Sequence, residues 1–363
     1  MSLNTNHIVY SLDDICIVPT GTSYIESRKF CIPFYENFTY TNGELSEIHK
    51  TLPIFTAPMT SVIGENNINA FLENNITPVI PRSIPFSQRI SYVTKQKYFV
   101  AFSLKEAEWF VSNLEVLRNP SVPYKICIDV ANGNMDTLLK IIGTLKELYH
   151  TDMIIMSGNV AHADSYRNLS YYGCNYVRVS VGSGSACTTA TNTGIYMPMA
   201  SLIDDCKSCG CQAKIVADGG LNSYRNIIKA LAIGADFVML GGMLNKLTDS
   251  AGEIVTSQAG KKYKIHFGMA STKGQIALGK ENSLTPPEGK VVYSEMSKNS
   301  IADFSKEFSH YLRSAMSYCG KEELKEFVGN VELYVMSPNA AKQYNQSRED
   351  DMPTDIGNAQ IIL

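Results

Sequence analysis

The residues best suited to chemistry sit in one run, Gly182-Ser-Gly184-Ser185-Ala186-Cys187-Thr188-Thr189. A thiol follows a Gly-x-Gly-Ser turn and is flanked by hydroxyls. The glycines let backbone N–H and C=O groups approach a ligand closely. A cysteine in that setting suits nucleophilic attack beside an anion or cation site. A free cysteine is often no more than a small buried hydrophobe, but the polar flanks of Cys187 make an inert core position the weaker reading. Upstream, Tyr176, Val177, Val179 and Val181 are β-formers, so the thiol follows the end of a strand.

That strand belongs to a regular alternation. The strand candidates are Leu52–Thr56, Thr77–Ile80, Tyr98–Phe102, Lys125–Val130, Met153–Met156, Tyr176–Val181, Lys214–Ala217 and Phe237–Leu240. Amphipathic helical stretches lie between them, clearest at Asn67–Glu73, Phe86–Lys97, Leu104–Leu117, Met135–Leu148, Met199–Cys206 and Tyr224–Ala232. Short apolar strands alternating with helices predict a parallel sheet with crossover helices. Eight such units are the count of a closed β/α (TIM) barrel. An open doubly wound sheet is the alternative, but it usually carries a Gly-x-Gly-x-x-Gly turn after its first strand, and none follows Leu52–Thr56. Ile301–Tyr318 predicts the last helix, so an insertion over about residues 244–299 separates it from the eighth strand. In a barrel such an insertion lies over the catalytic face. The expected organisation is an N-terminal cap over residues 1–51, a barrel with its flap over 52–337 and a tail over 338–363. The cap includes an irregular piece or hairpin around Phe38-Thr-Tyr-Thr-Asn-Gly43.

Barrels build chemistry where their strands finish. Those ends read Met59, Asp129, Asn132, Ser157-Gly158-Asn159, Gly182 to Thr189, Asp218-Gly219-Gly220 and Gly241-Gly242, a polar, glycine-rich ring. Each glycine alone is an ordinary turn residue. The pairs after the last two strands carry more weight, because barrels commonly bind phosphate there through backbone N–H groups. Asp129 is equally well read as a helix-capping aspartate, and Glu288, in Pro286-Pro287-Glu288-Gly289, as a solvated loop carboxylate.

The loop Gly182-Ser-Gly-Ser-Ala-Cys187-Thr-Thr resembles the catalytic loop of the IMP dehydrogenase and GMP reductase family. Val216-Ala-Asp218-Gly-Gly220 and Gly234-Ala-Asp-Phe-Val-Met-Leu-Gly-Gly-Met243 are similar to that family's two phosphate-loop segments. Gly260-Lys-Lys-Tyr-Lys-Ile-His-Phe-Gly268-Met269-Ala-Ser271 is similar to its purine-contact segment, and the match runs in order from about Ser11 to about Ser337. The resemblance implies a TIM barrel in which Cys187 attacks carbon 2 of a purine nucleotide. It places Asp218 on the ribose hydroxyls, Ser185, Gly219, Gly220, Gly241 and Gly242 around the phosphate, and Met59, Gly268, Met269 and Ser271 against the substrate. It places Asp129, Asn132 and Asn159 on the cofactor side, and the carbonyls of Gly182, Gly184 and Cys187 around a monovalent cation such as potassium. A homotetramer is implied as well. A carboxylate suits a ribose diol because it accepts two hydrogen bonds and carries charge, and carbonyl oxygens suit a hard cation.

Two family chemistries share the covalent step. In a reductase, GMP loses ammonia and the adduct is reduced by NADPH to IMP. In a dehydrogenase, IMP gives hydride to NAD and water then releases XMP, with an Arg-Tyr pair in a long flap activating the water. The 17 positions from Thr272 to Glu288 contain neither Arg nor Tyr. That resembles the reductases, as does the tail from Arg313 to Phe327. In the reductases a Thr two residues after the Cys and a flap Glu protonate the departing ammonia; Thr189 and Glu288 match them. The expectation is an NADPH-dependent GMP reductase. An IMP dehydrogenase and a non-catalytic purine-nucleotide-binding relative are the alternatives, and retention of Cys187, Thr189 and Asp218 argues against the last. Thr60 stands where the family usually has Asp, Ala190 where it has Arg, Ser180 and Ser183 where it has Gly and Pro, and Phe267 where a phosphate-contacting Tyr is common. These departures bear on the substrate more than on the fold, with a modified purine nucleotide as the alternative to GMP.

Composition bounds the remaining classes. The chain has 363 residues, is 44% hydrophobic and carries a net charge of −3, so bulk charge gives no reason to expect nucleic acid or a membrane surface as partner. No apolar run approaches a membrane span, and Met-Ser-Leu-Asn-Thr-Asn-His lacks a signal-peptide pattern. The expectation is a soluble, cytoplasmic protein. Nine irregularly spaced cysteines fit reduced thiols. Cys206-x-x-Cys209-x-Cys211 lacks a fourth metal ligand nearby and reads as helix-boundary cysteines.

Overall fold

A computed structural model of the chain describes residues 8–41, 44–95, 97–113, 123–279 and 287–346. Its centre is a single sheet of eight strands: β1 Ile54–Thr56, β2 Val79–Ile80, β3 Phe99–Phe102, β4 Tyr124–Asp129, β5 Met153–Val160, β6 Tyr176–Val179, β7 Lys214–Asp218 and β8 Phe237–Leu240. Neighbouring strands pair in parallel, and β8 returns to β1 with Val238 opposite Ile54. The ring closes at the β1–β2 seam, where Phe55 bridges Thr77 and the Thr77 N–H donates to the Ile54 carbonyl at 3.0 Å. A helix follows each strand: α1 Ile68–Glu73, α2 Phe86–Val93, α3 Leu104–Ser112, α4 Asp136–Tyr149, α5 Ala163–Tyr171, α6 Met199–Ser208, α7 Tyr224–Ile233 and α8 Ile301–Tyr318. This is the β/α barrel that the alternation predicts.

The strands are apolar on both faces because both faces are covered. Ile54, Val100, Ile126, Ile155, Val177, Ile215 and Val238 point outward into the layer beneath the helices, while Phe55, Phe99, Cys127, Met156, Val216 and Phe237 fill the barrel. Aromatic rings crowd one level of the interior, with Phe55 4.8 Å from Phe237 and 5.4 Å from Phe99 between centroids. Capping boxes start two of these eight helices, Ser103 with Glu106 for α3 and Ser300 with Asp303 for α8.

Differences from the sequence reading are local. The strand from Tyr176 stops at Val179, whose pairing with Val160 ends in the ladder bond from the Ser180 N–H to the Val160 carbonyl at 2.8 Å. Helix α2 ends at Val93, short of Lys97. Helix α3 ends at Ser112, and the rest of its expected length, residues 114–117, lies outside the described residues. Helix α5 is too polar to stand out in sequence; it buries only Tyr166 and Leu169.

The N-terminal segment contributes an antiparallel hairpin, Tyr35–Thr41 with Glu44–Thr51, whose tip at residues 42–43 lies outside the described residues. Ile15–Ile17 pairs with Leu333–Val335, and a helix at Pro338–Gln346 follows; the remainder of the expected tail, residues 347–363, is also outside. The insertion after β8 folds as three antiparallel strands, Ile254–Thr256, Lys262–Phe267 and Val291–Glu295, with residues 280–286 outside the described set. All nine cysteines are free thiols, and α6 ends at the boundary with Cys209 as its cap. Among the described residues no helix is long and apolar enough to cross a membrane.

Candidate active site

Beyond β6 the chain reverses sharply. Ser180 has φ +155° and Gly182 φ +77°, a region that favours glycine. A Cβ on Gly182 would lie 2.7 Å from the Ala190 Cβ and 2.9 Å from its nitrogen, so a larger residue has no room. The Cys187 N–H donates to the Gly184 carbonyl at 2.9 Å and closes the turn. Cys187 is half-buried, and its Sγ lies 3.4 Å from Thr189 Oγ1.

The insertion packs on the other side of this turn. Cys187 forms an antiparallel bridge with Gly289, the Lys290 N–H donates to the Ala186 carbonyl at 3.0 Å, and the Thr188 N–H donates to the Glu288 carbonyl at 3.4 Å. A Cβ on Gly268 would stand 2.8 Å from the Ala186 carbonyl oxygen, and Ser271 Oγ donates to the Gly268 carbonyl at 2.6 Å. The backbone of Glu288 is thus fixed beside Thr188. Its side chain is exposed and makes no hydrogen bond to Thr189 among the described residues.

Two strand ends converge on the same turn. A Cβ on Gly219 would lie 3.1 Å from Ser183 Oγ, one on Gly220 3.3 Å from Ser183 Cβ, and one on Gly242 3.4 Å from Ser185 Oγ. A Cβ on Gly241 would meet Met59 Sδ at 3.4 Å and His266 Cε1 at 3.5 Å. The glycine pairs therefore form, with Met59, Ser183, Ser185 and His266, a tight cradle of backbone and small side chains. His266 is only 3% exposed, its Nδ1 lies 3.0 Å from Ser61 Oγ, and burial pushes its pKa down to about 4.

An ionic network occupies the mouth of the barrel interior. Arg178, on β6, reaches Asp218 Oδ2 through Nε at 2.9 Å and Nη2 at 2.8 Å, and Asp129 Oδ1 through Nη1 at 2.7 Å. Arg82, just after β2, donates to Asp129 Oδ2 at 3.0 Å, and Asn159 donates to Asp218 Oδ2 at 2.8 Å. Side-chain exposure is 8% for Arg178, 14% for Asp129 and 13% for Asp218. For Asp129, burial works against ionisation most strongly, but Arg178 and then Arg82 outweigh it and hold the carboxyl below its ordinary value. Asp218 has three donors on Oδ2, and no hydrogen bond reaches its Oδ1 among the described residues.

Of the residues singled out from sequence, Asp129, Asn159 and Asp218 meet through Arg178, and the loop, glycine and Gly268–Ser271 residues meet around Cys187. Asn132 is exposed and instead accepts the Asn134 N–H at 3.0 Å. Sequence reasoning passes over Arg178, Arg82, Ser61 and His266. For Arg178 the signal is a charged residue inside a four-residue apolar strand; Arg82 follows a strand whose end is absent from the sequence-derived ring. Two clefts, of about 290 and 260 Å³, lie elsewhere, between Ile17 and the end of α8 and between Phe34 and α8, and neither is lined by a residue of this cluster.

A sequence model of the IMP dehydrogenase / GMP reductase domain matches residues 10–346. The chain is 32% identical over 297 residues to the GMP reductase of Buchnera aphidicola subsp. Acyrthosiphon pisum, covering 77% of this chain and 82% of that protein. It is 31% identical over 324 residues to the GMP reductase of Shewanella pealeana, covering 86% and 90%. It is 34% identical over 215 residues to GMP reductase 2 of Mus musculus, covering 57% and 59%.

Proposed function

The chain belongs to the IMP dehydrogenase / GMP reductase family, and within it we propose that the chain is a GMP reductase, converting GMP to IMP and ammonia with NADPH. The observation that carries this reading is the seating of Cys187. Its turn is pressed against the glycine pairs after β7 and β8 on one side and against Gly289 on the other, beside the Asp218 carboxylate with its uncommitted Oδ1.

In this reading the Cys187 thiolate forms a C–S bond at carbon 2 of the purine. The bond from that carbon to the amino nitrogen breaks, and ammonia leaves with one added proton. When bound, the reduced nicotinamide supplies the hydride that replaces sulfur at carbon 2. The electron pair of the C–S bond then returns to Cys187. Ser185 and the backbone of Gly219, Gly220, Gly241 and Gly242 hold the phosphate, and Met59, Gly268, Met269 and Ser271 border the nucleotide. Asp129, Asn132 and Asn159 serve the cofactor. Each Asp129 oxygen is engaged once, by Arg178 or Arg82, and a carboxylate oxygen has two lone pairs, so acceptor capacity remains for a ribose hydroxyl. Among the described residues no group of three or more His, Cys, Asp or Glu is placed to hold a metal ion. The neutral carbonyls of Gly182, Gly184 and Cys187 fit a monovalent cation such as potassium, with the Gly184 carbonyl shared with the Cys187 N–H. A cytoplasmic homotetramer completes the reading, checked by sedimentation.

The deciding experiment pairs two assays: ammonia release from GMP with NADPH oxidation, and NADH formation from IMP and NAD. The first is expected to proceed. Activity in the second alone would make the protein a dehydrogenase, in conflict with the absence of an Arg-Tyr pair between Thr272 and Glu288.

Two further outcomes are expected. Asp218→Ala weakens GMP binding by about 1.5–3 kcal/mol, the range for a hydrogen bond to a charged group. It weakens 2′-deoxy-GMP much less, and equal losses would remove the ribose assignment. Ammonia leaves poorly unless protonated, and a positioned general acid contributes ~10²–10⁴ in rate. Thr189 Oγ1, 3.4 Å from the sulfur, is placed to pass that proton, with Glu288 as its source through the flap. Thr189→Ala, Glu288→Gln and the double variant are then expected to lose deamination to similar extents, with hydride exchange between NADPH and a preformed IMP adduct much less affected. Additive losses would assign the two residues to substrate positioning.

A further inference from the structure

We propose that His266 reads the 5′-phosphate of the nucleotide and takes up a proton as it does so, which makes binding of the phosphorylated ligand, and not of the nucleoside, proton-coupled. The proposal rests on the reading that Gly241 and Gly242 hold the phosphate.

His266 lies on the insertion strand Lys262–Phe267, and its Cε1 is 3.5 Å from where a Gly241 Cβ would stand. Nδ1 is committed to Ser61 Oγ at 3.0 Å, and no hydrogen bond reaches Nε2 among the described residues. The ring is 3% exposed. Ser61 and Gly241 against it, and its strand partner Val292, carry no ionisable group. Lys264, on the same strand face, is taken up by the carbonyls of Ser250 and Gly252 at 2.9 and 3.1 Å. Phe267 next to it has no hydroxyl to offer.

A buried imidazole with no anion beside it stays neutral, because burial disfavours the charged form; burial is what holds the pKa of His266 near 4. A phosphate dianion in the cradle supplies the missing counter-charge. Two ring N–H groups then have partners: one donates to Ser61 Oγ, whose hydroxyl can turn to accept, and the other donates to phosphate. The remaining groups of the cradle, the Ser183 and Ser185 hydroxyls and the glycine backbone, are neutral donors. His266 is the ionisable side chain among them.

The test is calorimetric titration of GMP and of guanosine into wild type and His266→Gln at pH 7, in buffers of different ionisation enthalpy, which counts protons. Wild type is expected to take up about one proton more per GMP than the variant, with no difference for guanosine. The variant is expected to bind GMP on the order of 10- to 100-fold more weakly and guanosine as before. Equal proton counts, or equal losses for GMP and guanosine, overturn the proposal. Should the variant not fold, guanosine 5′-sulfate, whose own charge does not titrate near pH 7, gives the count on wild type alone: uptake supports the proposal and its absence overturns it. Failure of the reductase reading is separately visible as wild type that binds GMP with proton uptake but releases no ammonia. Wild type that binds neither GMP nor IMP removes both.

Discussion

Cys187→Ala is expected to abolish ammonia release from GMP while GMP still binds. The substitution removes Sγ and keeps Cβ. The turn does not depend on the sulfur, because its shape comes from the Cys187 N–H on the Gly184 carbonyl and from the bridge to Gly289. Among the described residues the sulfur makes one hydrogen bond, to Thr189 Oγ1 at 3.4 Å. The variant should therefore fold as wild type does and retain the cradle around Gly219, Gly220, Gly241 and Gly242. Without a nucleophile the purine has no covalent route, and single removals of a catalytic nucleophile cost on the order of 10⁶ in turnover in well-studied hydrolases. Single-turnover ammonia release measures the loss. Mass spectrometry of acid-quenched wild type, mixed with GMP in the absence of NADPH, looks for the added nucleotide on the protein. Ordinary turnover by the alanine variant would remove the covalent mechanism, and loss of GMP binding along with turnover would recast Cys187 as a positioning group.

The visibility of this site in the sequence follows from what each residue depends on. The strands are legible because a strand covered on both faces is a short apolar run, and eight of them bounded by turns admit few arrangements. Cys187 is legible because Gly182 and Gly184 cannot continue the strand before them. Arg178 is different. Its inward direction depends on the barrel register, which sets it level with Gly158 on β5 and Val216 on β7. Nothing in the local sequence says whether the guanidinium enters the barrel or faces a helix. His266 and Ser61 are 205 positions apart, and only folding of the insertion over the strand ends brings them together. Glu288 is the reverse case: it is easy to pick from its place in the flap, yet the chain fixes its backbone beside Thr188 and leaves its side chain in solvent.

Arg178→Met is expected to destabilise the protein by about 3–5 kcal/mol, the cost of removing one partner of a buried ion pair. Methionine keeps much of the aliphatic stem and removes the guanidinium that bridges Asp129 and Asp218. Both carboxylates then stay at the barrel mouth with like charges and fewer donors: Asp129 retains Arg82, and Asp218 retains Asn159. The effect has a pH signature. In wild type the Asp129 carboxyl is held below its ordinary value, so its contribution to stability is complete above the unfolded value of about 3.9 and is lost as pH falls through the folded value. In the variant, burial opposes the charge with Arg82 alone to offset it. If the folded value then rises above the unfolded one, the folded state holds the extra proton and stability falls as pH rises. Urea unfolding at pH 5 and pH 7.5 should accordingly show the greatest difference between the two proteins at the higher pH. Arg178→Lys keeps one charge but lacks the planar fork needed to reach both carboxylates, so it should recover part of the stability and less of the nucleotide affinity. Adding Asp129→Asn to Arg178→Met removes one of the two like charges left at the barrel mouth, so the double variant should be less destabilised than the sum of the two single effects. A variant within about 1 kcal/mol of wild type at both pH values would place it among ordinary surface substitutions and show that the two carboxylates do not depend on Arg178 in solution. Because the same guanidinium holds the carboxylate proposed for the substrate ribose and the one proposed for the cofactor ribose, apparent affinities for GMP and NADPH should fall together in the lysine variant. A loss confined to one ligand would mean that the bridge orients that side alone.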